Sequence, residues 1–520
     1  MMPQTTQEAP GYKWLILANV MITTFMAVLD ATVVNTGLPV IMGTLGASMN
    51  SAEWILTGYM LSMATVLSAA GWFSNRFGYR NVFVAALAIF TFGSFMCGNS
   101  DSINELIFWR IIEGIGGGLL MPVGMAIVTT VFPPQQRGMA LGFWAVATAA
   151  SVSFGPMIGG YLVDNFNWNY IFYVNIPIGA FSILYTLIIQ KEYRLQSNLK
   201  FDFWGFLTSA IFLPVFLYGL SQVNSSTNPE GWNSPVVMGC MWLAAVTFIL
   251  FIYIELTVKT PLINLHIFKD RNFSMANVVI FIFGIGMFGS TFLIPLYMQD
   301  TLGYSAYEAG LIFLPVGMLQ AIASPIAGRL SKTIDPRIII SLGIIMLAYS
   351  FILNFSFTFE TDRAYILRSL IIRGVGLGIL YPPLLTVSLT NIGRLEMAQA
   401  SSISNIVRQV GGSVGVAIFT YMLAIRRDFH SQRYAEALAY TGETYQQTIQ
   451  KLSDFYLSTG SPTSQSALSE AKQYIIQRLN TEAYISGIND DFIIGAIITL
   501  LSLVPVFFLT GKSGKKTKSA

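Results

Sequence analysis

The chain has 520 residues, of which 54% are hydrophobic and 11% charged, and its mean hydropathy is +0.60. Soluble globules carry about 25% charged residues, so this chain has too little polar surface to dissolve, and its solvent is a membrane. The net charge of +3 gives no reason to expect nucleic acid. Two cysteines, Cys97 and Cys240, are too few for a disulfide framework or a zinc site, and His266 and His430 lack ligand-like spacing, so no metal or cofactor is expected.

The first ten residues, MMPQTTQEAP, are polar. The apolar run that follows is too long for a signal-peptide core and has no small-residue cleavage pattern, so it reads as a retained first helix. A span takes about 20 apolar residues, and Gly and Pro are tolerated inside it. On that basis the runs predict an all-α membrane protein with spans centred near residues 25, 62, 90, 115, 150, 180, 212, 245, 285, 316, 348, 376, 412 and 500. The first span contains LDATVVNTGLP (29–39), which places Asp30 inside oil. A lone carboxylate at mid-bilayer costs about 2.5–3.5 kcal/mol on insertion scales, so a group that trades a proton there has a reason to exist. In the fourth span Arg110 and Glu113 are three residues apart and share a helix face.

Lysine and arginine set the topology. With a cytoplasmic N-terminus the inner loops hold Lys13, Arg76, Arg80, Arg137, Lys191, Arg329, Arg337 and the C-terminal lysines, whereas the short outer loops hold Arg363. An even span count then puts both termini in the cytoplasm. Residues 427–488 form one long outer segment. Leu438, Ile449, Leu452, Phe455 and Tyr456 suggest one helical stripe, TGSPTSQS (459–466) a turn, and Leu468, Ala471, Ile475 and Leu479 a second stripe. A helical hairpin is expected there.

The chain repeats itself. GWFSNRFGYR (71–80) and GRLSKTIDPR (328–337) both fit G-x-x-S-x5-R, and GIGGGLLMP (114–122) parallels GVGLGILYP (374–382). Pro122 and Gly155 are 33 residues apart, as are Pro382 and Gly415. The repeat predicts two related six-helix bundles with two helices inserted between them, divided as 1–200, 201–258 and 259–520. Parallel repeats of this kind form transporters, with sites near the midplane between the halves. In the alignment Glu113 falls opposite Arg373, which suggests a pairing across the halves.

These residues resemble the fourteen-helix drug:proton antiporters of the major facilitator superfamily, the EmrB/QacA type. The resemblance rests on LDATVVNTGLP, RIIEGIGGG (110–118), FGPMIGGYL (154–162), NWNYIFYVNIPIG (167–179) and NIVRQVGGSVGVA (405–417), in that order. It departs at Asn75, where the family usually has Asp, and at Glu113, where it usually has Gln. It implies a major facilitator fold and proton-driven export of small amphipathic compounds across the inner membrane. Asp30, aided by Glu113 and Arg110, would bind the proton. In families of this type such an outer hairpin meets a periplasmic membrane-fusion adaptor and, through it, an outer-membrane channel.

Further candidates follow from residue type. Gly155, Gly159 and Gly160 permit close helix approach and Pro156 bends the span. Arg76 and Arg80 sit where an inner gate or a positive-inside anchor belongs. Phe25, Met26, Trp54, Tyr59, Phe292, Tyr297 and Gln299 lie on spans expected to line a cavity, where aromatics and Met adapt to varied apolar ligands. Two rival readings remain: export of one endogenous amphiphile such as a lipid or fatty acid, and proton symport. An enzyme is disfavoured by the missing nucleophile motif and an ATP-driven pump by the missing GxxxxGK[ST].

Overall fold

The computed structural model describes residues 11–510 except 48, 194–199, 224–227, 229, 332, 394–395, 441 and 460–462. The side chains of some further helical residues, Pro156 and Phe292 among them, also lie outside the described residues. The described residues contain helices and no strand. This is what a bilayer demands, because a helix satisfies its own backbone polar groups.

Among the described residues, fourteen helices of 19 residues or more follow one another. The first bundle contains α1 (Tyr12–Leu45), α2 (Met49–Leu67), α3 (Tyr79–Gly98), α4 (Ile103–Val131), α5 (Pro134–Asn165) and α6 (Tyr170–Ile189). The inserted pair is α7 (Phe203–Gln222) and α8 (Pro235–Thr257). The second bundle contains α9 (Arg271–Thr301), α10 (Ala306–Leu330), α11 (Pro336–Asn354), α12 (Arg363–Ser388), α13 (Met397–Tyr440) and α14 (Ser464–Phe507). Each expected span centre falls inside one of these helices. Among the described residues 12 helices are long and apolar enough to cross a membrane on their own. A thirteenth span arises if α2 is joined to the short helix Ala70–Phe77, from which it is bent by 54°. The remaining helix, α5, is 32 residues long but rich in Gly, Ala, Ser and Thr.

Local chemistry starts and stops these helices. Ser102 caps α4 by accepting from the Glu105 amide, Asp270 caps α9 from Phe273, and Ser305 and Glu308 form a reciprocal capping box on α10. Gly78, at φ +94°, turns the chain sharply into α3; the Tyr79 amide donates to the Tyr193 carbonyl, and the Glu192 carboxylate accepts from the Arg80 and Asn81 amides. The outward faces are apolar: Ile188 is 81% exposed and Trp242 70%. In water that would be a liability; in lipid it is the expected surface.

The two bundles meet along two seams at the end of the molecule that carries Lys13, Arg137 and Arg329. On one seam α5 crosses α10 backbone to backbone. A Cβ on Gly142 would lie 2.8 Å from the Ser324 carbonyl oxygen, and one on Gly138 3.0 Å from the Gly328 carbonyl oxygen. Arg329 reaches over to the Met139 sulfur at 3.3 Å. On the other seam, Gly71 abuts Gln399, Ser402 donates to the Leu67 carbonyl, and higher up Arg408 meets the Met121 sulfur at 3.7 Å. This basic end is closed. At the other end of α1, Asn35, Pro39, Val40, Gly43 and Thr44 are uncovered.

In all, α13 is 44 residues long, about 66 Å at 1.5 Å per residue against a hydrocarbon core about 30 Å thick, so its end continues beyond the bundle. The helix Gly442–Thr459 folds back onto the start of α14, burying Ile449, Ala467 and Ala471. Phe455 points away from that face and is 58% exposed.

Closure of the basic end is directly testable. In a chain with Cys97 and Cys240 replaced by Ser, Met139→Cys and Arg329→Cys should be joined by a short bifunctional thiol reagent, and the joined protein should lose transport. Free motion of the two labels, read as no crosslinked product, would contradict this closure.

Candidate functional site

Four helices bring one polar cluster into the first bundle. Asp30 comes from α1, Arg110 and Glu113 from α4, Asn175 from α6 and Ser94 from α3. All five are at most 1% exposed. Arg110 Nη1 donates to Asp30 Oδ2 at 2.7 Å and to Glu113 Oε2 at 2.8 Å. Asn175 Nδ2 donates to Asp30 Oδ1 at 3.0 Å and approaches Ser94 Oγ at 2.9 Å, while Ser94 donates to the Phe172 carbonyl. The Cys97 thiol points at Glu113 Oε2 at 3.5 Å. The guanidinium lies over the Tyr59 ring, 4.1 Å from its centroid, a favourable cation–π geometry.

Glycines make this approach possible. A Cβ on Gly116 would lie 2.5 Å from the Phe90 amide nitrogen of α3, and one on Gly118 2.5 Å from the Met63 carbonyl of α2. A Cβ on Gly93 would meet the Glu113 backbone at 2.8 Å. The GIGGG run therefore seats α4 between α2 and α3 at a distance that no side chain allows. That seating delivers Arg110 and Glu113 to Asp30.

The electrostatics are unusual. One cation faces two acids, so with both acids ionised the cluster has a net charge of −1 in a dry interior. With one proton on either acid it is neutral. The two acids are also unequally served. Asp30 has donors on both oxygens, from Arg110 and Asn175, whereas Glu113 Oε1 has no hydrogen-bond partner among the described residues. A buried carboxylate oxygen without a donor is costly when charged, so in this conformation the proton belongs on Glu113.

The structure places the other candidates variously. Gly155 and Gly159 of α5 press against Thr32 and Thr36 of α1, just past Asp30, whereas a Cβ on Gly160 would meet nothing within 4 Å. Close packing thus involves the first two glycines and not the third, because Gly160 faces away from α1. Arg80 sits at the basic end, its backbone amide held by Glu192 and its side chain 3.5 Å from the Gln190 carbonyl; Arg76, half-buried, lies on the bent helix Ala70–Phe77. Arg373 does not pair with Glu113. It belongs to the other bundle, where it donates to the Met287 carbonyl at 3.1 Å.

A cleft between the bundles is lined by Met63, Ala64, Leu67, Gly118, Met121, Asn405, Arg408 and Gln409. None of the aromatics singled out from sequence lines it. Tyr59 is committed to Arg110, Met26 and Tyr297 are buried in the main apolar core, and Trp54 stacks on Tyr218 of α7. Phe25 is half-buried and Gln299 exposed; the Phe292 and Pro156 side chains lie outside the described residues. The candidates chosen by residue type lie on α1, α2 and α9, whereas the cleft is lined by α2, α4 and α13; only α2 is shared, and there residue type does not say which side of the helix faces the partner bundle. Residue-type reasoning also passed over Asn175, whose signal was an amide set between Val174 and Ile176 within an apolar run.

Comparison with known proteins agrees with this architecture. Residues 20–416 match the Major Facilitator Superfamily, and the chain belongs to that family of multi-pass membrane transporters. It is 31% identical to the multidrug export protein EmrB of Escherichia coli (strain K12), over 94% of this chain and 93% of that one. It is 29% identical to the fatty acid resistance protein FarB of Neisseria gonorrhoeae, over 93% of each. Among solved structures, the proton:xylose symporter XylE superposes with a TM-score of 0.59 at 14% identity, covering 97% of this chain and 98% of that one. The human organic anion transporter MFSD10 gives a TM-score of 0.61 at 12% identity, covering 97% and 100%.

Two substitutions test the geometry. Asn175→Leu removes a donor from Asp30, a loss of about 1–3 kcal/mol, and should slow proton-coupled transport roughly 10- to 100-fold at unchanged expression. Gly116→Val forces α4 off α3, and overpacking of this kind costs about 1–3 kcal/mol, so the melting temperature of the purified protein should fall along with transport. A Gly116→Val protein as stable and active as the parent would contradict the proposed seating of α4.

Proposed function

We propose that this protein is a proton-driven antiporter that exports small amphipathic compounds across the cytoplasmic (inner) membrane, with both termini in the cytoplasm. The observation that carries the reading is the Asp30–Arg110–Glu113 cluster, in which one buried guanidinium is shared by two buried acids. Such a cluster accepts a single proton and becomes neutral, and it can release that proton when the bundle opens to water on the other side. The names of the EmrB and FarB relatives support export of drugs or fatty acids.

The bundles, taken as residues 1–200 and 259–520, rock about the cleft at Met121 and Arg408, with 201–258 as an added pair beside α2. The basic end is the cytoplasmic end, so the conformation described is closed to the cytoplasm. Proton loading then occurs from the far side, and opening toward the cytoplasm discharges the proton and admits substrate. One charge crossing 100 mV supplies about 2.3 kcal/mol, enough for a roughly fifty-fold substrate gradient.

The arm built from the end of α13, Gly442–Thr459 and the start of α14 lies outside the membrane. Its exposed Phe455 and Ile476, 58% and 59% uncovered, favour docking of a periplasmic membrane-fusion adaptor, and through it an outer-membrane channel.

Inverted vesicles test the direction of coupling. Adding ethidium to vesicles with a proton-loaded lumen should release protons, and Asp30→Asn should abolish that release; Glu113→Gln should weaken it. Proton uptake together with ethidium would instead establish symport, and full coupling in Asp30→Asn would remove the assigned site.

A further inference from the structure

The second bundle buries an acid that the cluster above does not use. Asp491 of α14 is 0% exposed, and neither of its carboxyl oxygens has a hydrogen-bond partner among the described residues. It faces inward. Gly487, one turn before it, lies against Leu423 and Arg427 of α13, and Gly495, one turn after it, lies against Phe419 of α13 and Phe351 of α11. Its neighbour Asp490 is served quite differently, with Arg426 at 2.6 Å and the His430 ring at 2.7 Å. An ionised carboxylate stripped of both water and donors costs several kcal/mol. The species that fits the Asp491 site is therefore the neutral acid.

The internal repeat gives this position a counterpart. In the first bundle, Gly116 of α4 packs on Ala86 and Phe90 of α3; one turn further on, Ser94 contacts Asn175 of α6, which holds Asp30. In the second bundle, Gly376 of α12 packs on Gly343 and Leu347 of α11. One turn further on, Phe351 stands beside Phe492 of α14, with ring centroids 6.5 Å apart. Phe492 thus stands where the first bundle has Asn175, and Asp491 is its immediate neighbour on α14. Across the same Phe351 ring lies a buried cation, Arg373, 5.2 Å from the ring centroid.

We propose that Asp491 is a second proton-binding site, so that each transport cycle carries one proton on the Asp30–Arg110–Glu113 cluster and one on Asp491. The inference rests on the proton-exchange reading given above and extends it to the second bundle. The charged groups that act on Asp491 are Asp490 on its own helix and Arg426 on α13; His430 of α13 pairs with Asp490, and Arg373 of α12 lies over the Phe351 ring. From α11 Phe351 packs on Gly495, one turn after Asp491, and from α9 Gly286 packs on Gly495 and Thr499; none of these is charged. His430 and Asp490 are partly open, at 13% and 22%, and provide the way in for the proton. When the bundle rearranges and Phe351 moves aside, Arg373 or water stabilises the carboxylate and the proton leaves to the opposite side. No other group changes charge in this step.

The test uses the full chain in proteoliposomes with ethidium as probe. Wild type should exchange two protons per ethidium, and Asp491→Asn should still transport ethidium with one proton, a twofold drop in the ratio. An unchanged ratio in Asp491→Asn overturns the proposal. Should that variant fail to fold, wild type is treated with dicyclohexylcarbodiimide, which modifies protonated carboxyls in apolar sites, and Asp491 labelling is read by mass spectrometry. Labelling at pH 6 that disappears at pH 9 is expected; equal labelling at both, or none at either, overturns the second site. The two proposals fail separately. Asp30→Asn that keeps proton-driven efflux refutes the first site, while Asp491 labelling reports on the second regardless.

Discussion

A single guanidinium, sealed from water and shared by two carboxylates, is the constraint on which the rest of the first bundle depends. Arg110 cannot lose its proton in any ordinary condition, so it fixes one positive charge in the interior. Two acids around one cation leave an imbalance that a proton corrects. Breaking such a buried arrangement by removing one partner is expensive, about 3–5 kcal/mol in comparable cases. The bundle holds it because three helices position its four members: Asp30 by α1, Arg110 and Glu113 by α4, Asn175 by α6. A shift of any one of these helices changes who serves which oxygen. The cluster is thus coupled to the conformation of the bundle by geometry alone.

Backbone proximity supports that coupling at two levels. Within the first bundle, Gly93, Gly114, Gly116 and Gly118 let α4 sit against α2 and α3. Between the bundles, Gly138, Gly142 and Gly328 let α5 and α10 touch at the basic end. In a membrane, where apolar burial gives helices little reason to associate, such close packing is a main source of attraction. Contacts of this type are made or lost as a unit, which suits a carrier with two discrete conformations. Thr32 and Thr36, pressed by Gly155 and Gly159, place the α1–α5 contact one turn beyond Asp30. Motion of α5 at the inter-bundle seam is therefore mechanically adjacent to the proton cluster.

Much of this was legible in the sequence, and for identifiable reasons. Hydropathy located every long helix, because a bilayer imposes one length and one composition on a span. Asp30, Arg110 and Glu113 stood out because charge inside an apolar run is rare, and their spacing on α4 fixed two of them to one face. Asn175 and Asp491 were passed over. The first is an uncharged amide. The second follows Asp490, where the apolar run only begins, so that buried and exposed acids look alike in one dimension. The cleft was misplaced among aromatics, since in a chain that is 13% aromatic most such residues serve the core or the lipid face. Met63, Met121 and Arg408 could be assigned to the cleft only once the rotation of α2, α4 and α13 was known.

In the proposed cycle the Asp30–Arg110–Glu113 cluster binds and releases one proton. Infrared difference spectra of the full chain in lipid, recorded between acid and alkaline pH, read protonated carboxyl groups directly through their C=O stretch. A carboxyl band that disappears at alkaline pH is expected in wild type, a weaker one in Glu113→Gln, and in the Glu113→Gln/Asp30→Asn double variant only the contribution of Asp491. Difference spectra in this carboxyl region that are identical for wild type and the double variant would mean that the cluster stays in one charge state throughout, and the coupling mechanism would be wrong.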